Sequence, residues 1–139
     1  MSNDITFSII KPDALGKGEA GKILTRITES GFRIAALRML HMTRSQAEGF
    51  YAVHRERPFY QGLVEFMSSG PVIVMVLRHP DAVEEFRRLI GTTDPAKAGP
   101  GTIRAEFGTD VRMNAVHGSD CPENAIMEAS YFFSAIEIF

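Results

Sequence analysis

Residues 114–120 read NAVHGSD, which sets His117 after two apolar residues and before Gly118, Ser119 and Asp120. A lone histidine in such a stretch has two readings, a surface residue in a turn or a nucleophile. Four cations at element ends or in loops bear on the choice: Lys11, Arg57, Arg87 and Arg104. Each alone could simply keep a terminus soluble. Gathered around a histidine, they would suit phosphoryl transfer, which asks a protein mainly for positioning and for donors aimed at phosphate oxygens. Arginine forks and a lysine ammonium supply such donors.

Those residues need elements to hold them. ITFSIIK (5–11), FRIAALRMLHM (32–42) and PVIVMVL (71–77) read as strands, the last apolar throughout and therefore central. NAVH (114–117) reads as a short fourth strand. Helical spacing marks 19–31, 43–56, 57–70, 81–91 and 122–133. Thr43 with Gln46 forms a capping-box pattern, Asp120 with Glu123 another, and Pro122 suits a first helical turn. The segment TTDPAKAGPGT (92–102) holds two prolines and two glycines and reads as a long loop, of the kind that often carries function. The order predicts an α+β chain: a ferredoxin-like βαββαβ core, a four-stranded antiparallel sheet with helices packed on one face, plus inserted helices and the long loop.

Composition narrows the class. The 139 residues suit one domain over 1–139, with 45% hydrophobic and 23% charged residues. A net charge of −2 gives no global field for nucleic acid or anionic lipid, so neither is expected as a partner. One cysteine, Cys121, excludes an intrachain disulfide framework. The N-terminal run is broken by Ser8 and stopped at Lys11-Pro12, which predicts neither signal peptide nor membrane span, and a cytoplasmic location. His41, His54 and His79 lack partners at metal-ligand spacing, and Met39, Met42, Met67, Met75, Met113 and Met127 read as core or boundary filler.

A glycine pattern offers a rival. GKGEAGK (16–22) satisfies G-x-x-x-x-G-K, but Ile23 stands where a P-loop needs Ser or Thr for Mg²⁺. A dinucleotide fold would need an acidic residue about twenty positions on, and RMLHMTR has none. The glycines read better as a loop before a helix.

IIKPDAL (9–15), RPFYQGLVEFMSSGPV (57–72), RRLIGTTDPAKAGPGTIRAEF (87–107) and NAVHGSD resemble nucleoside diphosphate kinases of the short bacterial kind, in order along nearly the whole chain. The resemblance implies the ferredoxin-like fold and reversible transfer of a γ-phosphate, mainly from ATP, to a nucleoside diphosphate. The route it implies is ping-pong, through a pros-phosphohistidine at His117. Neutral imidazole attacks phosphorus near neutral pH without first losing a proton.

By position, Glu128 matches the carboxylate that accepts a hydrogen bond from the other ring nitrogen, and Ser119 a supporting serine. Tyr51 matches a residue near the histidine. Lys11 and Asn114 match contacts to the sugar hydroxyls, Arg87, Thr93 and Arg104 contacts to phosphates, and Phe59 the aromatic stacked on the base. Every base has a π-face, so broad nucleotide tolerance follows. Without the resemblance, Tyr51, Phe59 and Glu128 read as ordinary helix or core residues, Thr93 as a turn residue, and Arg87 cannot be chosen over Arg88. The family places its arginine four residues before the glycine of G-x-T-D-P, which selects Arg87.

The resemblance also implies Mg²⁺ carried on the nucleotide phosphates, with no protein-ligated metal, and a homo-oligomer, tetramer or hexamer. Cys121 stands where family members often carry serine, RHPD (78–81) replaces a more acidic segment, and the chain lacks the C-terminal extension of longer members. A thiol so close to His117 suggests that oxidation there would interfere.

Overall fold

The computed structural model describes residues 3–139. Its strands are β1 (Ile5–Ile10), β2 (Arg33–Leu40), β3 (Val72–Arg78) and β4 (Val116–Gly118). They form one antiparallel sheet in the order β2-β3-β1-β4, the ferredoxin-like arrangement the element order predicts. The helices are α1 (Pro12–Gly16), α2 (Ala20–Glu29), α3 (Arg44–Phe50), α4 (Tyr60–Met67), α5 (Ala82–Ile90), α6 (Ile103–Phe107) and α7 (Pro122–Phe132).

The helices cover both faces of the sheet, not one as the sequence reading has it. The reason lies in β3, where Val72, Val74 and Val76 enter one buried cluster while Ile73, Met75 and Leu77 enter another. A strand apolar at both parities exposes hydrophobic surface unless each face is covered. On the first face Ala47 of α3, Tyr60, Val64 and Met67 of α4 and Ala129 of α7 do so. On the second, Ile23 and Ile27 of α2, Phe86 and Ile90 of α5 and Ile103 and Phe107 of α6 do so. A register shift between Ile34 and Ala36 re-phases β2, so that Ile34 serves the second cluster and Ala36 and Leu40 the first.

The element ends follow local chemistry, with four corrections. The capping box at Thr43 is present: Gln46 N donates to Thr43 Oγ1 at 3.0 Å and Thr43 N to Gln46 Oε1 at 2.8 Å. Asp120 and Glu123 form no such box. Cys121 is the residue before α7, without a side-chain cap, and the Asp120 carboxylate instead accepts from Asn124 Nδ2 at 2.6 Å. The KPDAL segment holds α1, with Pro12 in its first turn. β1 therefore leads into a helix rather than a glycine loop, which removes the P-loop geometry. The 92–102 loop contains a 3₁₀ turn at Pro95–Lys97, which Asp94 caps by accepting from Ala96 N at 3.0 Å. Finally, Met39, Met113 and Met127 are exposed rather than core or boundary filler.

Candidate active site

β4 is the edge strand beside β1, and its middle residue, His117, pairs with Ile9. The imidazole Nε2 lies 2.9 Å from Glu128 Oε1, a carboxylate that α7 carries back over the strand. Ser119 Oγ donates to the same oxygen at 2.8 Å and accepts from Phe7 N at 3.1 Å. A neutral ring that donates from Nε2 keeps its lone pair on Nδ1. The tautomer is thus assigned by the carboxylate, and the carboxylate is held in turn by a buried serine bound to the backbone of β1.

Rings wall this pair. Phe50 packs edge-on to the imidazole at 5.5 Å between centroids, and Phe7 lies at 6.0 Å. Tyr51 is buried beside Glu128, and its hydroxyl has no hydrogen-bond partner among the described residues. Burial first, and the Glu128 charge second, push that phenol well above its ordinary range, so it stays a proton donor.

A second cluster forms where β1 ends. Lys11 is buried and donates from Nζ to Asn114 Oδ1 at 2.7 Å. The Asn114 amide donates to Thr93 O at 3.0 Å and Val111 O at 3.2 Å, tying the long loop to the strand entry. Burial, and then the Arg104 guanidinium, bring the Lys11 ammonium down to about 7. Arg104 donates to Gly91 O at 3.1 Å and Val116 O at 2.9 Å, and its Nε is buried without a hydrogen-bond partner among the described residues. Burial, and then Arg87, lower Arg104 to about 10. Cations that depress one another in a buried setting form a positive site that an anion would relieve.

The backbone between the clusters is bent. Ala115 has φ of +75°, and Val116 N donates to Asn114 O at 2.9 Å, closing a γ-turn. Alanine there is strained, and the surroundings hold it: Ala115 N donates to Asp13 Oδ2 at 3.1 Å and Lys11 N to Ala115 O at 2.9 Å. The turn lets Asn114 point toward Lys11 while His117, three residues on, meets Glu128.

The remaining expected residues sit at the periphery. Arg87, Thr93 and Phe59 are exposed. Arg88 pairs with Glu84 and Glu85, so of the two neighbours Arg87 is the one whose field reaches Arg104. Phe59 lies 5.3 Å from the His54 ring, which itself stacks 6.5 Å from Tyr51. Phe7, Phe50, His54 and Asp13 escaped the sequence reading of the site. Phe7 and Phe50 look like ordinary core residues, whereas Asp13 beside Pro12 carried a signal in its own right, an acidic residue opening a helix. Among the described residues, no group of three or more His, Cys, Asp or Glu side chains is placed to hold a metal ion.

The nucleoside diphosphate kinase family model matches residues 4–138. The chain is similar to the nucleoside diphosphate kinase of Chlamydia abortus, 58% identical over 133 residues, 96% of this chain and 94% of that one. It is also similar to that of Thiobacillus denitrificans, 54% identical over 139 residues, 100% of this chain and 98% of the relative. Among solved structures, the Aquifex aeolicus nucleoside diphosphate kinase superposes with a TM-score of 0.95 at 52% identity, covering 98% of this chain and 99% of that one. The Halobacterium salinarum enzyme, solved in complex with CDP, gives 0.93 at 37% identity, covering 99% and 91%. The chain belongs to the nucleoside diphosphate kinase family, phosphotransferases that bind nucleotides.

Proposed function

We propose that His117 is the residue that carries the phosphoryl group between nucleoside triphosphate and nucleoside diphosphate. The observation that supports this most is the Nε2 contact to Glu128 at 2.9 Å, which leaves the Nδ1 lone pair for phosphorus. In the first half-reaction Nδ1 attacks the γ-phosphorus of ATP. A P–N bond forms while the bond to the bridging oxygen breaks, and ADP leaves with the electron pair. The ring becomes cationic in that step, and the Glu128 carboxylate, steadied by Ser119, stabilises it. A second nucleoside diphosphate then attacks the pros-phosphohistidine, and the same atoms reverse the path.

The other residues bind and orient. Arg104, Arg87 and Thr93 would meet the phosphate oxygens, and Lys11 with Asn114 the sugar hydroxyls. Phe59, exposed beside the His54 ring that stacks on Tyr51, would offer its face to a base of any kind. Tyr51 presents a protonated hydroxyl beside Glu128. The donor set is cationic and so fits phosphates that bring Mg²⁺ with them; bound there, the ion would neutralise charge on the transferring phosphate chain.

The experiment is a two-step transfer: Mg²⁺ and ATP labelled in the γ-phosphate, removal of free nucleotide, then GDP. Acid-labile label on the wild type, absent from His117→Ala and discharged by GDP, is the expected result. Label on His117→Ala would overturn the assignment. Lys22→Ala, on an exposed face of α2, serves as the control for a P-loop and should label normally.

The full 139 residues would act as one domain, in the cytoplasm, and without nucleic-acid partners given the net charge of −2. No helix among the described residues is long and apolar enough to cross a membrane. A homo-oligomer, tetramer or hexamer, is supported by exposed Leu37 and Met39 on the edge strand β2 and by Ile136 and Phe139 beside it. Sedimentation velocity would distinguish these from a monomer.

A further inference from the structure

A cleft of about 540 Å³ runs between α4 and the turn that follows α6, with Gly62, Glu65, Phe66 and Ser69 on one wall and Asp110–Met113 on the other. Positions 62, 65, 66 and 69 have the spacing of one helix face, and Phe59, three residues before Gly62, extends the stripe. Arg112 lies directly over Gly62. A Cβ at residue 62 would stand 2.5 Å from Nη2, 2.6 Å from Nη1 and 2.7 Å from Cζ of the guanidinium. Only a residue without a side chain allows this approach.

The turn that carries Arg112 is firmly built. Asp110 Oδ1 accepts from Arg112 N at 3.0 Å and Met113 N at 2.8 Å, and Thr109 N donates to Met113 O at 2.7 Å. The next residue is Asn114, which holds Lys11 and Thr93. A guanidinium seated on α4 therefore joins the helix that begins beside Phe59 to the turn that ends in Asn114. We infer that Arg112, seated on Gly62, is a positioning residue that latches α4 to this turn and sets the width of the cleft between the base contact and the sugar contact. The inference rests on the nucleotide site proposed above.

Three variants test it: Arg112→Ala, Gly62→Ala and the double. Arg112→Ala removes the latch, and Gly62→Ala displaces it, since the atoms that a new Cβ meets are the far end of a flexible side chain. Each single variant should raise the KM and calorimetric Kd for a nucleoside diphosphate about fivefold or more, with kcat at saturation within about twofold of wild type. The double variant should match Arg112→Ala, because the collision partner is gone. A merely structural contact would lower the melting temperature and leave KM unmoved. An unchanged KM in Arg112→Ala, or effects that add in the double, would overturn the latch. Should Gly62→Ala misfold, Arg112→Ala decides alone. Phosphohistidine labelling should persist in every variant, so its absence from the wild type would count against His117 and not against Arg112.

Discussion

The two halves of the site are built differently. His117, Glu128 and Ser119 sit on a strand, a helix and the link between them, and the chain of hydrogen bonds from His117 through Glu128 to Ser119 ends on the backbone of Phe7 in the sheet. Arg87, Thr93 and Phe59 lie on a helix end, a loop and the residue before a helix, and all are exposed. The atom proposed to react is positioned before any ligand arrives. Of the groups that would grip the nucleotide, half, Arg87, Thr93 and Phe59, stand open to water, while Lys11, Asn114 and Arg104 are buried. In the proposed cycle a donor and then an acceptor would pass through this second half. Loss of a residue in the rigid half should therefore appear mainly in kcat, and loss in the open half mainly in KM.

Arg104 bridges the halves, and removing it should have the largest effect among the binding residues. Arg104→Ala would lower kcat by about 10²- to 10³-fold, the range for deleting a preorganised donor to developing charge, and leave the carbonyls of Gly91 and Val116 without their partner. Stopped-flow phosphorylation of the enzyme measures it. An effect confined to KM would move Arg104 into the open half.

Glu128→Gln should lower kcat by about 10- to 100-fold with KM little changed, since the amide can still orient the ring but cannot stabilise its cation. Ser119→Ala should follow in the same direction and more weakly. If both variants altered KM alone, the rigid half would have no claim on the chemical step.

Lys11 adds a pH signature. Its folded value of about 7 lies below the ordinary 10.5, so between those values the unfolded chain binds a proton that the folded chain does not. Stability from this group therefore rises with pH across that window and is flat below about 7. Comparing urea unfolding of wild type and Lys11→Met from pH 6 to 10 should show the balance moving toward wild type as pH rises. A nucleotide phosphate nearby would favour the ammonium, so triphosphate binding at pH 8 should take up protons, read by calorimetry in buffers of different ionisation heat.

Phe59→Ala should have the smallest effect, a KM increase of about three- to tenfold that is similar for purine and pyrimidine diphosphates, with kcat retained. Base-dependent losses would mean that the ring reads hydrogen-bonding edges indirectly rather than offering a face.

In the half proposed to be catalytic, only His117 stood out from the residues themselves; Glu128 read as an ordinary helix carboxylate, and it and Ser119 were assigned through the family resemblance. Four strands and their order were readable from β-branched runs and from the spacing of helices between them. The contacts that hold the site are of another kind. Asp13 meets Ala115 across 102 residues, and Arg112 meets Gly62 across fifty. Neither periodicity nor composition expresses such pairs, since they exist only after the sheet has brought its ends together. The two-sided cover of β3 was a different matter: helices were expected on one face only, although the unbroken apolar run of that strand leaves hydrophobic surface on both.

Gly118, beside the histidine, has a consequence for how such chains can change over time. A Cβ at that position would stand 3.0 Å from both Ile90 Cδ1 and Phe86 Cδ2 in the layer beneath β4. A side chain there requires Ile90 and Phe86 to give by a few tenths of an ångström, which a loss of bulk in α5, for example Phe86→Leu alongside Gly118→Ala, would ease. The pressure comes from packing and is indifferent to catalysis. A descendant that gave up its histidine could keep the glycine for the sake of its fold. In a distant relative the two letters of the HG pair thus carry separate information, the first about chemistry and the second about how closely a helix lies under a strand.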